Sequence, residues 1–181
     1  EIYTDENTLS LHDALPIYRH VSSLRSFRPA LGALATISSP VLASMILVDT
    51  NILLDVAESD PDWADWSQQQ LERLALTDTL TINPVIYAEF SIGYARIEEV
   101  EVVLAAVAMP VASMPREALF LAGKAFLHYR QRGGLRSGVL PDFLIGGHAS
   151  VEGWRLLTRD VGRYRSYFPS LHLIAPGLGD S

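Results

Sequence analysis

From Met45 onward, short apolar runs alternate with stretches in which apolar residues recur every three or four positions. The first run, Ile46–Val48, is too short for a helix and carries no polar break, so it reads as a strand buried on both faces. It stops at a carboxylate, Asp49, and the polar Thr50-Asn51 turn feeds a short helix over Ile52–Ala57. Asp60-Pro61-Asp62 starts the next helix, since Pro suits the first turn and acids suit the positive end of the dipole. That helix runs from Trp63 to about Leu76, with Trp63, Trp66, Leu71 and Leu74 on one face. Thr79–Ile82 is β-rich and reads as a second strand.

Asn83-Pro84 opens another helix, Asn as cap and Pro at the first helical position. Its apolar stripe, Val85, Ile86 and Ile92, includes Glu89 at helical spacing. A buried carboxylate is costly unless partnered, and a cation is a good partner, although Arg96 or a backbone group would also serve. Glu98–Val107 is a further helix ended by Pro110, and Val111–Met114 a short extended segment. A long helix follows from Pro115 to about Arg132, with Leu119, Ala122, Phe126 and Tyr129 at core spacing, closed by Gly133-Gly134. Leu140-Pro141-Asp142 begins a helix through Ala149, Trp154–Leu157 is a strand, Val161–Phe168 a short aromatic and basic segment, and Leu171–Ile174 a last strand. Alternating strands and helices predict an α/β protein, an α/β/α sandwich with a central parallel sheet of four to five strands.

Residues 1–44 do not share this patterning. Thr8–Ile17 resembles the translation of a sequencing adapter, and Pro29, Ser38, Ser39 and Pro40 interrupt any helix in the Arg- and Ser-containing remainder. The segment is expected to be a non-domain extension, arising from the gene model or disordered, with Met45 as the natural start. The domain is then 45–176, followed by a tail at 177–181.

Composition narrows the chemistry. Cysteine is absent from the 181 residues, which removes disulfides and thiolate metal sites, so any metal must be held by oxygen or imidazole. No apolar run approaches the ~18 residues of a membrane span; a cytoplasmic location and no membrane partner are expected. The net charge of −7 is unevenly spread. Met45–Pro115 holds 12 acidic residues against Arg73 and Arg96, whereas Arg116–Arg165 holds nine basic residues against four acidic. Two solvated faces of opposite sign would explain this, and so would a carboxylate cluster beside a basic half, as a metal-dependent phosphodiesterase needs.

Four acids stand out by position. Asp49 and Asp160 each end a strand, and Glu89 and Asp142 lie on helices that begin at the same sheet edge. Capping alone would account for Asp142, which lies in the first turn of its helix. Gly146-Gly147 lowers helix propensity and signals close packing or access to a cleft. His148 lies six positions on, about 120° around the helix from Asp142, and reads as a packing or hydrogen-bonded histidine. Clustered carboxylates repel unless a divalent cation sits among them, and carboxylate oxygens with water suit Mg²⁺ or Mn²⁺.

Val48-Asp49-Thr50-Asn51-Ile52, Glu89 after a Pro-started helix, Leu140-Pro141-Asp142 with Ile145 and Ala149, and Leu157-Thr158-Arg159-Asp160 together resemble the PIN domain. Spacing and length are most similar to the VapC-type toxin ribonucleases, over Met45 to about Ala175. The resemblance implies a Mg²⁺- or Mn²⁺-dependent endoribonuclease of a type II toxin–antitoxin pair, with RNA as substrate, an antitoxin as partner, and a homodimer. Carried over, Asp49, Glu89, Asp142 and Asp160 would be the catalytic and metal-binding acids, Asp160 acting through water. Asn51 and Thr158 would orient water or the acids' oxygens, and Arg159 or the Arg130–Arg136 loop would hold RNA phosphates. A non-catalytic PIN-like binding module is the alternative; a haloacid-dehalogenase phosphatase wants a second Asp where Asn51 stands, and a receiver domain wants a late-strand Lys, whereas Lys124 is the only lysine. Trp63, Trp66, Ile97, Val100, Val103, Leu104 and Val107 are more apolar residues than a domain of this size is expected to bury in full, and are read as an interface or, alternatively, as completing the core.

Overall fold

The computed structural model describes residues 44–135 and 138–178; the expectations for the N-terminal extension, Arg136 and most of the tail fall outside these residues. Four strands form one parallel sheet: β1 (Met45–Val48), β2 (Thr79–Thr81), β3 (Arg155–Leu157) and β4 (Leu173–Ile174), in the order β2-β1-β3-β4. Seven helices are present among the described residues: α1 (Thr50–Ala57), α2 (Ala64–Leu74), α3 (Pro84–Ser91), α4 (Ile97–Ala106), α5 (Arg116–Gln131), α6 (Leu140–Glu152) and α7 (Val161–Tyr167). This is the α/β/α arrangement that the alternation predicts. The extended segment after Pro110 reduces to a single parallel bridge, Ile82 to Val111, prolonging the sheet beyond β2.

Ile46, Leu47 and Val48 are all fully buried, as a central strand covered on both faces requires. Leu47 pairs with Thr81 on one side and Leu156 on the other. The chain leaves β1 toward β2 on one flank and later returns to β3 on the opposite flank. The strand order therefore reverses between β1 and β3, and at such a switch point the crevice outside the strands' carboxyl ends is left open for a ligand.

The start expected at Asn83-Pro84 forms by the expected chemistry, Asp49 and Asp160 prove to be caps as well, and α2 begins only at Ala64, beyond Asp60-Pro61-Asp62 and without a side-chain cap. Asp49 caps α1, its side chain accepting from the Thr50 N–H. Asn83 caps α3 by accepting from the N–H groups of Val85 and Ile86, both at 3.0 Å, with Pro84 in the first turn. Asp160 caps α7 through the Arg163 N–H. Each cap satisfies donors that a helix start would otherwise leave bare.

Helix faces are less faithful to the periodic reading. In α3 the buried positions are Ile86 and Phe90, while Ile92 is 73% exposed, so Glu89 borders the core instead of sharing a stripe with Ile92. In α5 the buried face is Ala118, Ala122 and Ala125, and Leu119 is 47% exposed. The reason is Gly147 of α6: a Cβ there would lie 2.8 Å from the Ala118 carbonyl and 3.3 Å from the Ala122 Cβ. The two helices approach so closely that only small side chains fit between them. A further correction concerns the apolar excess: Val100, Val103, Leu104 and Val107 are each buried, completing the core. Trp66 packs on that core, and Trp63 meets its ring edge-on at 6.3 Å. Of the expected interface set only Ile97 is largely exposed, at 63%.

Candidate active site

Asp49 stands at the switch point, its N–H continuing the ladder onto the Leu157 carbonyl at 2.9 Å. Its carboxylate is buried and densely partnered. Oδ1 accepts from the Thr50 N–H at 2.8 Å; Oδ2 accepts from Asn51 Nδ2 at 2.8 Å, the Thr158 hydroxyl at 2.6 Å and the Tyr164 hydroxyl at 3.2 Å. Burial pushes its pKa up to about 6, opposed by the Thr158 hydrogen bond and reinforced by the charge of Asp142. Loss of water outweighs four donors, which fits a carboxylate whose ionised form still lacks a full counter-charge.

Asp142 occupies the first turn of α6, half-buried at the same edge. Burial raises its pKa to about 6; Arg163 lowers it, and the charges of Asp160 and Glu89 raise it. Asp142 thus feels Asp49, Asp160 and Glu89, so four acids separated by up to 111 positions in sequence meet around it. Glu89 is tied in through Thr50, whose hydroxyl donates to Oε2 at 2.5 Å. Asp160 is tied in through Thr158, whose Oγ1 accepts from the Asp160 N–H at 3.0 Å.

The polar residues divide into two sets. Asn51 bridges the strand ends: its Nδ2 donates to Asp49 and to Thr158 Oγ1, and its Oδ1 accepts from the Arg159 N–H at 3.2 Å. Asn51 and Thr158 therefore fix Asp49. The Arg159 side chain points away from the acids, pairing with Asp55 at 2.7 Å and lying over the Trp63 ring at 5.2 Å. Arg130 donates to the Leu135 carbonyl.

Three participants escape the sequence reading. Tyr164 is wholly buried, and burial with the neighbouring acids holds its phenol well above 10, so it stays a donor to Asp49. Thr50 serves Glu89. Arg163 hydrogen-bonds Asp142 Oδ2 through Nη1 and lies 3.2 Å from Asp160 Oδ2. Tyr164 and Arg163 follow Asp160 in α7, and their aromatic and basic types gave no signal beyond core and surface. His148 is buried against Trp154, its Nδ1 3.4 Å from Asn83 Nδ2, and burial lowers its pKa. It is a neutral packing residue.

Residues 46–167 match the model of the PIN domain family. The chain belongs to the PIN domain family. No curated relative matches it. Solved structures share the fold of this PIN domain. One is VapBC2 from Rickettsia felis bound to a promoter DNA fragment, at 23% identity and TM-score 0.56, covering 72% of this chain and 98% of that one. FitAcB from Neisseria gonorrhoeae aligns at 18% identity and TM-score 0.54, covering 73% and 98%. A toxin–antitoxin complex from Klebsiella pneumoniae aligns at 21% identity and TM-score 0.51, covering 72% and 97%.

The donor set of the PIN site is the oxygen-only set a hard divalent cation takes, and its one fully buried carboxylate, Asp49, is held by neutral donors with no basic side chain among the described residues bonded to it. As the side chains stand, no three acids among the described residues are close enough together to hold one ion. The residues fit such an ion by type and by charge, and would need side-chain rotation to hold it.

Proposed function

We propose that this PIN domain is a Mg²⁺- or Mn²⁺-dependent endoribonuclease acting as the toxin of a type II toxin–antitoxin pair. The observation that carries the reading is the pair Asp49 and Asp142, both held near a pKa of 6 by burial and by the charges of neighbouring acids. Asp49, Asp142 and Glu89 would hold the ion, with Asp160 reaching it through water. A bound divalent ion lowers the pKa of its water and offsets charge developing on a phosphate. Thr158, Asn51 and Tyr164 hold the Asp49 carboxylate in one orientation, and Thr50 does the same for Glu89. The solvent-facing side of the acids is left for an RNA phosphodiester.

The solved structures with this fold include toxin–antitoxin complexes, which supports an antitoxin as the partner. A homodimer is part of the same proposal, and exposed Leu119, Phe120 and Leu127 on α5 offer it apolar surface. No helix among the described residues is long and apolar enough to cross a membrane; a cytoplasmic location is proposed.

A second reading, a non-catalytic PIN-like module binding RNA or protein, is favoured by one observation: an arginine already neutralises Asp142 and Asp160. The purified full chain, incubated with total RNA, separates the two. Nuclease function requires cleavage with Mn²⁺ or Mg²⁺, its loss in EDTA, and at least a ~100-fold loss in Asp142→Asn. Cleavage undiminished by chelation overturns the metal, and RNA binding without cleavage leaves the binding module.

A further inference from the structure

Arg163 sits one turn after Asp160 in α7, and its backbone N–H is fixed by the Asp160 carboxylate at 3.3 Å. The guanidinium continues into the site, bonding Asp142 and approaching Asp160 Oδ2 at 3.2 Å. Of the other basic side chains nearby in sequence, Arg159 pairs with Asp55, Arg155 pairs with Asp78, and Arg165 is exposed with no ion pair to the four acids. Among the described residues, Arg163 is therefore the one basic group seen on the four acids. Its side chain is 28% exposed, so it has a route to solvent.

We infer that Arg163 is the resident cation of the acid cluster, and that a divalent ion enters by displacing its guanidinium from Asp142 and Asp160. This rests on the metal-dependent reading of the site. Carboxylate oxygens that accept a guanidinium cannot at the same time offer those lone pairs inward to a metal. The two cations therefore compete for one set of oxygens, and the affinity for metal is reduced by whatever the internal contact contributes. A partly exposed ion pair is weak enough to be displaced by a doubly charged ion, which makes the contact reversible. The mutual repulsion of the acids supplies the reason for a placeholder: without metal, Asp142 would face Asp49, Glu89 and Asp160 with no opposing charge. The same contact explains why no three acids yet share one ion-sized space. Asp142 is turned onto Arg163.

Calorimetric titration of the full chain with Mn²⁺ tests the idea, comparing wild type, Arg163→Gln and Arg163→Lys. Removing the charge should tighten Mn²⁺ binding about five- to tenfold, and lysine, which keeps it, should stay within about twofold of wild type. A merely structural tie between α6 and α7 would give equal or weaker binding in Arg163→Gln, and that result overturns the inference. If wild type binds Mn²⁺ and only this difference is missing, the metal site stands and the role of Arg163 falls. If none of the three proteins binds Mn²⁺, the metal reading fails and the inference falls with it. Should Arg163→Gln not fold, the side-chain guanidinium NMR signals of wild type decide, with Arg163 assigned by its absence from Arg163→Lys. Its signal must shift on saturation with Mg²⁺, and an unmoved signal overturns the proposal.

Discussion

Arg159 turns away from the four acids and pairs with Asp55, Nη2 to Oδ1 at 2.7 Å. Asp55 is 2% exposed and also accepts the Ser67 hydroxyl at 2.6 Å. One ion pair thus joins α1 and α2 to the turn after β3, the turn that carries Thr158 and Asp160. Arg159→Ala would leave Asp55 buried with one donor, costing about 1–3 kcal/mol; the cost is below that of a wholly buried pair because Arg159 retains some water. Urea unfolding should show this loss at pH 7, and a double cycle with Asp55→Asn should recover part of it. Strictly additive losses would mean that the pair does not couple.

The raised pKa values fix a pH dependence for the metal-free protein. Asp49 moves from an ordinary 3.8 to about 6 on folding, so the folded state binds its proton more tightly than the unfolded state. The associated stability is complete below about pH 4 and is lost as pH rises through about 6, amounting to about 2–3 kcal/mol for Asp49. Asp142 acts in the same direction. In EDTA, wild type should therefore lose stability relative to Asp49→Asn between pH 4.5 and pH 7. A difference between the two that does not change with pH contradicts the assignment.

The paired glycines of α6 should respond differently to alanine. At Gly147 the new methyl meets the Ala118 carbonyl at 2.8 Å, backbone that cannot swing aside, so Gly147→Ala should cost about 1–3 kcal/mol. At Gly146 it meets the Phe168 ring at 2.5 Å and the Tyr164 ring at 3.0 Å. Tyr164 carries the hydroxyl bonded to Asp49, so Gly146→Ala should lower RNA cleavage by more than its change in stability accounts for. Thermal unfolding and cleavage rates measured on both variants check the split. Equal ratios of activity to folded fraction would refute it.

The domain is proposed to begin near Met45. Ser44 already contributes: its carbonyl accepts the Thr79 N–H at 3.0 Å, and its hydroxyl joins Asp78 and Arg155. A chain starting at Met45 should melt within about 5 °C of the full chain, the shift reflecting those contacts. Calorimetry on both would reveal a larger collapse if the first 44 residues belong to the core.

Local chemistry makes the strands, helix starts and acids legible in the sequence. Ile46–Val48 ends at Asp49, Asn83-Pro84 can start a helix in few other ways, and Thr158-Arg159-Asp160 repeats the strand-then-acid pattern; each rests on residues within a few positions of one another. Which residues face the core is not local. Leu119 gives way to Ala118 because Gly147 on another helix sets the spacing, and Val103 and Leu104 prove to be core in a helix, α4, that packs against α3. The partners of the acids are likewise invisible in the sequence. The sequence determined that four carboxylates come to one sheet edge. Only the tertiary structure decided that Tyr164 serves Asp49, that Arg159 leaves for Asp55, and that Arg163 takes the place beside Asp142. Long flexible side chains choose among partners by distance and burial, and those exist only once the chain has folded.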